Sequence, residues 1–270
     1  MLASHPASID PQPAERWAAT QRELAERVAA LEHANVELWR SNAKLAEFAS
    51  IAAHDLRAPL QTMTGYAELL ADHAAASLDP ESIEYLDAIR RGATRLQSLV
   101  EGLLAYARVG TTIRRREEVA CQQLMDDACD ALAARIAEMN ATLRYRSLPA
   151  VVGDPTELAQ VFQNLVGNAL KFTRPGIAPV VEVTAHRAGE EWRFEVADNG
   201  IGIEARHRER IFRVFQRLQA QGAEASTGIG LAMCKRIVEG HGGRIWAEDN
   251  PGAGARLCFT IPAPVCWSPF

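Results

Sequence analysis

Residues 17–60 read WAATQRELAERVAALEHANVELWRSNAKLAEFASIAAHDLRAPL, and in them Trp17, Leu24, Leu31, Leu38, Leu45 and Ala52 recur every seventh position. Taken as d positions, they leave Gln21, Val28, Asn35, Asn42 and Ala49 at a. Such a run of heptads predicts a coiled coil, and asparagine at two a positions favours a parallel, in-register dimer. The other reading is one long amphipathic helix packed on its own chain. The helix is expected to run on through Phe48, Ile51 and Leu56 to about Ala71. Pro59 lies inside it, and its missing N–H predicts a kink or a loosened turn.

Outward from that stretch, Pro6, Pro11 and Pro13 with no periodicity predict a loose tail over 1–13, so the coiled coil covers 14–45. Leu78-Asp79-Pro80-Glu81 is a stop-and-restart signal, with Asp79 as N-cap and Pro80 at the first helical position. A second amphipathic helix carries Ile83, Leu86, Ile89, Leu96, Leu99, Val100, Leu103 and Leu104. Together the two form a helical hairpin over 46–109, and two hairpins would make a four-helix bundle. Residues 110–116, with Arg114, Arg115 and Arg116, read as a solvated linker.

From Glu117 the pattern becomes α/β. Helices are expected at Cys121–Glu138, Pro155–Leu170 and Ile229–Glu239, and strands at Thr142–Arg146, Val180–His186, Trp192–Ala197, Gly243–Ala247 and Arg256–Ile261. Antiparallel strand pairs beside three helices predict a two-layer α/β sandwich over 117–262, so the whole chain is an α+β multidomain protein. The glycines follow no strand–turn–helix order, which argues against a dinucleotide fold. Residues 263–270 form a tail expected to be a disordered end, the other reading being that Trp267 and Phe270 dock on a partner.

Apolar residues make up 48% of the 270 and charged ones 23%, which excludes wholesale disorder. A net charge of −5 gives no reason to expect a nucleic-acid partner. No uncharged run can cross a bilayer, and the N-terminus lacks the order of a signal peptide. Cysteines at 121, 129, 234, 258 and 266 show no C-x-x-C pair or metal-ligand spacing, so reduced thiols and a cytoplasmic location are expected.

Four elements could carry chemistry. In His54-Asp55-Leu56-Arg57-Ala58-Pro59-Leu60 the acid can accept from one ring nitrogen and leave the other as a nucleophile. Asn164, Asn168 and Lys171 fall at i, i+4 and i+7 on one helix face, opposite Val161, Leu165 and Ala169; two amides and a lysine suit hydrated Mg²⁺ and phosphate oxygens, or simply a solvated face. Asp198-Asn199-Gly200-Ile201-Gly202 follows a strand, where a carboxylate could accept from an adenine amino group and glycines let backbone approach a flat ring. Ser226-Thr227-Gly228-Ile229-Gly230-Leu231 opens a helix, whose amides and dipole suit phosphate. Between the last two, Gln219–Ala225 reads as a mobile lid. His241, in a helix-to-strand turn, is expected to be a turn residue, and Arg206, Arg208, Arg210, Arg213 and Arg217 a solvated face.

In this order and spacing, with Phe212-x-x-Phe215 between them, the elements resemble the sensor histidine kinases of two-component systems over about residues 41–262, in the flavour of the phytochrome-like kinases. By that resemblance His54 is the phosphorylated histidine and Asp55 its acidic neighbour. Asn168 binds Mg²⁺, with Asn164 and Lys171 near the phosphates of ATP. Asp198 reads adenine beside Gly200 and Gly202, Phe212 and Phe215 form an aromatic box beside the lid, and Thr227, Gly228, Gly230 and Leu231 lie on the phosphate side. The resemblance implies a dimerisation and phosphotransfer bundle, a gyrase-type ATP-binding domain, a homodimer, a response regulator as acceptor and an upstream sensor domain or partner. No sensory domain fits in the first 45 residues, so the chain is either a fragment or receives its input through the coiled coil or a partner.

Two positions depart from the family pattern. Ser226 replaces the first glycine of the last glycine box, and Ala58 stands where many members carry Thr or Asn associated with phosphatase action. Two rivals remain: a non-catalytic dimeric scaffold, which would not need His54, Asn168 and Asp198 together, and an ATPase of the same superfold, which would not need the His-Asp box.

Overall fold

The computed structural model describes residues 12–74, 79–110, 115–216 and 227–264. The loop between the hairpin helices at 75–78, Arg114, the lid segment Gln219–Ala225 with Arg217 and Ser226, and the tail with Cys266, Trp267 and Phe270 lie outside the described residues.

Helix α1 spans Gln12–Ala74 and α2 spans Pro80–Arg108. Asp79 caps α2 by accepting from the Ser82 N–H at 2.7 Å, with Pro80 next to it where no amide partner is needed. The hairpin closes on small residues: Ala53 packs against Val100 and Leu104, with Ala49 beside them. Helix α1 continues past Pro59, but the carbonyl of Asp55 lacks the N–H that residue 59 would otherwise supply. Every described side chain from Trp17 to Glu47 is exposed, including Leu24 and Leu31, so none of the described side chains here is buried against its own chain. Leu38, Leu45, Asn35 and Asn42 are outside the described side chains.

The second half is an α+β domain: β1 (Glu117–Ala120), α3 (Cys121–Ala131), α4 (Ala133–Glu138), β2 (Thr142–Tyr145), β3 (Ala150–Gly153), α5 (Pro155–Lys171), β4 (Val180–Ala188), β5 (Glu191–Asp198), α6 (Gly230–Gly240), β6 (Ile245–Asp249) and β7 (Ala255–Pro262). The main sheet has the order β2-β4-β5-β7-β6, while β1 and β3 form a separate antiparallel pair. Three details differ from the sequence reading. The expected helix 121–138 breaks at Leu132, whose N–H is shared between Ala128 O and Cys129 O as the turn tightens. The four-residue strands β1 and β3 are too short to show an alternation. Finally, β2 pairs with β4 in parallel, because α5 crosses over between them, as a parallel connection requires.

Period-two alternation sends Phe194 and Val196 of β5, and Leu257, Phe259 and Ile261 of β7, toward the helices. Phe162 of α5 meets Phe194 and Phe259 edge-on at 5.8 Å, and those two rings stack at 4.7 Å. The opposite face is tiled with charge. Arg193 pairs with Glu195 and Glu248 at 2.9 Å each, and both Arg193 and Arg244 lie over Trp246. His241 is a buried brace as well as a turn residue: the Asp154 N–H donates to Nε2 at 3.0 Å, which puts the ring proton on Nδ1, 2.8 Å from Ile237 O.

Asp154 also caps α5, accepting from the Thr156 and Glu157 amides at 3.0 and 3.1 Å. Asp154→Ala is expected to cost about 1 kcal/mol through the lost cap. Urea denaturation followed by tryptophan fluorescence checks this, and an unchanged midpoint would contradict it.

Candidate functional site

A cavity of about 300 Å³ opens between α5, the end of β5, the start of α6 and the start of β7. Its polar wall comes from α5. The i, i+4, i+7 spacing brings Asn164, Asn168 and Lys171 to it, while Val161, Leu165 and Ala169 are buried. The apolar wall includes Ile201, Ile203, Ile211, Leu231 and Leu257. The Asn164 amide nitrogen is buried and has no hydrogen-bond partner among the described residues.

Asp198 is the last residue of β5 and lines the same cavity. Its Oδ1 accepts from the Gly200 N–H at 2.8 Å and the Ala255 N–H at 3.0 Å. Burial pushes its carboxyl above the ordinary value, against the pull of those two amides and the Arg174 charge. Arg174 also fixes the loop after β5, with Nε donating to Asn199 O at 3.1 Å and Gly200 O at 2.9 Å.

Thr227, Gly228, Gly230 and Leu231 complete the mouth. Gly228 has φ +69°, and a Cβ there would sit 2.9 Å from Gln216 O, so a side chain is excluded twice over. Its carbonyl accepts from the Phe215 N–H at 3.0 Å, which pins the chain before residue 217 to the chain after residue 226.

The cavity thus gathers Asn164, Asn168, Lys171, Asp198, Gly202, Thr227, Gly228, Gly230 and Leu231. Three other predicted residues stand behind or beside it. Gly200 supports Asp198 from the back, Phe212 is buried next to the wall residue Ile211, and Phe215 is exposed. Of the apolar wall, sequence reasoning named Leu231 and missed Ile201, Ile203, Ile211 and Leu257, as it missed Arg174, which falls in no motif; Ile201 and Ile203 could have been found from their alternation with Gly200 and Gly202.

His54 and Asp55 lie on α1, exposed, with Nδ1 3.3 Å from the Asp55 carboxylate. They are not on the cavity wall, yet the hairpin meets its mouth at their level. Ala53 packs on Val100 and Leu104, and between these, a Cβ on Gly102 would lie 3.0 Å from Ile229 and 3.6 Å from Thr227 Oγ1. One turn on, the Arg236 guanidinium of α6 stacks on Tyr106 of α2 at 5.0 Å.

Residues 153–265 match the family of histidine kinase-, DNA gyrase B-, and HSP90-like ATPases, and residues 44–112 match the His Kinase A (phospho-acceptor) domain. The chain belongs to the sensor histidine kinases. Within them it falls in the phytochrome-like subgroup: it is 41% identical over 225 residues to the phytochrome-like protein Cph1 of Synechocystis sp., covering 83% of this chain and 30% of that protein. Identity to cyanobacterial phytochrome A of Nostoc sp. is also 41%, over 88% of this chain and 31% of the relative. The chain therefore spans about a third of the length of these curated relatives. Among solved structures, full-length ShkA in complex with AMPPNP matches with a TM-score of 0.60 and 31% identity, over 80% of this chain and 45% of that one. Histidine kinase ThkA in complex with response regulator protein TrrA matches with a TM-score of 0.56 and 27% identity, over 80% of this chain and 61% of that one. No described helix is long and apolar enough to cross a membrane.

A carboxyl whose folded value is raised costs stability once ionised, and the cost grows as pH rises through its titration. Asp198→Asn removes that cost and keeps an acceptor for both amides. The variant is expected to melt no lower than the wild type at about pH 7, with the difference shrinking toward about pH 4.5. Thermal melts at both pH values check this; a clearly lower melting temperature at the higher pH would contradict it.

Proposed function

We propose that this chain is the catalytic core of an ATP-dependent protein-histidine kinase that phosphorylates His54 and passes the phosphoryl group to an aspartate of a response regulator. The observation that carries the reading is the convergence of Asn164, Asn168, Lys171 and Asp198 on one cavity whose mouth packs against the hairpin at the level of an exposed His-Asp pair. The complexes of ShkA with AMPPNP and of ThkA with a response regulator support the nucleotide and the partner.

In this reading the adenine enters the apolar part of the cavity and its amino group donates to Asp198. Lys171, Thr227 and the amides at the start of α6 face the phosphates. Asn168 would hold Mg²⁺, which would offset phosphate charge, with Asn164 near the phosphates. Among the described residues no group of three His, Cys, Asp or Glu could form a metal cage, so a site of one or two amides completed by phosphate and water fits what is present.

Asp55 faces Nδ1, which holds the ring proton there and leaves the Nε2 lone pair as nucleophile. Nε2 bonds to the γ-phosphorus in line as the bond to the bridging oxygen breaks, and ADP departs with that electron pair. The carboxylate offsets the positive charge that develops on the ring. A second transfer, from phosphohistidine to a carboxylate of the regulator, regenerates neutral His54.

The exposed heptad positions of α1 support a homodimer through a coiled coil, with input arriving along it from an upstream sensor domain or partner. Cys121, Cys129, Cys234 and Cys258 are free thiols, which fits the cytoplasm. The scaffold and simple ATPase readings account for only one half of the site each.

His54→Gln is expected to abolish acid-labile, base-stable labelling from ATP while ATP binding persists. Labelling at the wild-type level would remove His54 from its role. Ala58, one turn beyond His54, offers no hydroxyl or amide to hold a water in line with a phospho-aspartate. Little phosphatase activity toward the regulator is therefore expected, with Ala58→Thr raising it. Decay of purified phospho-regulator with wild-type protein and ADP, much faster than its own hydrolysis, would refute this.

A further inference from the structure

The support of Asp198 rests on a residue outside every motif of the sequence. Asn250 lies in the turn between β6 and β7, and its amide nitrogen donates twice: to Asp198 O at 2.7 Å and to Ala253 O at 2.9 Å. Its Oδ1 in turn accepts from the Arg256 guanidinium at 3.4 Å. One side chain thereby joins the end of β5 to the turn that leads into β7.

That turn delivers the Ala255 N–H to the Asp198 carboxylate. It approaches so closely that a Cβ on Gly254 would lie 1.8 Å from Asp198 O, and Gly254 has φ +86°, where side chains are strained. The carbonyl and the carboxylate of Asp198 are thus both held by residues 250–255. We propose that Asn250 is a positioning residue for nucleobase recognition: it sets the turn that aims the Asp198 carboxylate, and so governs preference for a purine bearing a 6-amino group. The inference rests on the reading of Asp198 as the adenine acceptor.

The physical argument is one of orientation. The outer oxygen of a carboxylate held by one Oδ1 pair can swing unless the donors are fixed. Gly200 is only two residues beyond Asp198 on the loop that leaves β5, so the donor from outside is Ala255, and its approach to the carboxylate is set by its pairing with Asp249 together with the turn between them. Without the Asn250 amide, two carbonyls at the base of that turn lose their shared donor, and the turn is free to relax away from β5.

The test compares ATP with purine riboside 5′-triphosphate, which lacks the 6-amino group, by calorimetry on the full chain with Mg²⁺. The wild type is expected to prefer ATP. Asn250→Ala should weaken ATP about fivefold to tenfold while leaving the amino-free analogue nearly unchanged, so the preference collapses. Asn250→Ser, whose hydroxyl can serve one of the two carbonyls, should fall between. Equal loss of both nucleotides in Asn250→Ala would mark the residue as merely structural and overturn the proposal. If that variant fails to fold, Asn250→Ser decides by the same ratio. Asp198→Asn separates the two ideas. If it too collapses the preference and Asn250→Ala does not, the role of Asn250 falls while the adenine reading stands. If Asp198→Asn leaves the preference intact, the adenine reading falls and the proposal with it.

Discussion

A carboxylate withdrawn from water must be given donors by the fold, and at Asp198 those donors are backbone amides. This requirement organises the ATP-binding half. The end of β5 must meet the loop at Gly200 and the first residue of β7 at once, which fixes where two turns lie and leaves a cavity in front of them. Arg174 holds the loop at Gly200, and Asn250 ties the turn before β7 to the end of β5. The stability cost of the buried charge is the counterpart of a well-oriented acceptor, a trade common where binding sites are built into a core.

Helices α5 and α6 flank the cavity and are themselves joined at their far ends. His241 takes the N–H of Asp154, which caps α5, and gives its own proton to Ile237 of α6. The helix that presents Asn164, Asn168 and Lys171 is in this way indexed to the helix that presents Gly230, through a buried imidazole at the opposite end of both. Between them, the Phe162, Phe194 and Phe259 cluster keeps α5 at a set height above the sheet.

Much of this was legible in the sequence because the decisive signals are local. Asp79-Pro80 reads as a cap, the amides of α5 fall on one face, and the alternation in β4, β5 and β7 gives the sheet. What escaped depends on contacts between distant segments. The parallel pairing of β2 with β4 follows from a crossover, not from any pattern within Thr142–Tyr145. Asn250 and Arg174 act through carbonyls far away in the chain, and carbonyls leave no trace in side-chain order. Gly102 looks like an ordinary helix-weakening glycine until Ile229 is found against it. The heptads tell of a helix with an apolar stripe, and only the structure shows that Trp17, Leu24, Val28 and Leu31 of that stripe are exposed.

That bare stretch has a geometric consequence. Between Trp17 and His54 the helix rises about 55 Å at about 1.5 Å per residue, and up to Glu47 every described side chain is exposed. A continuous helix fixes the angle between its residues, so angular phase is carried along it. Seven residues return a helix to within about 20° of where it began. Lengthening or shortening the strut by whole heptads therefore nearly preserves the bearing of His54, whereas adding two or five residues, at about 100° each, turns the histidine to roughly the opposite side of the helix.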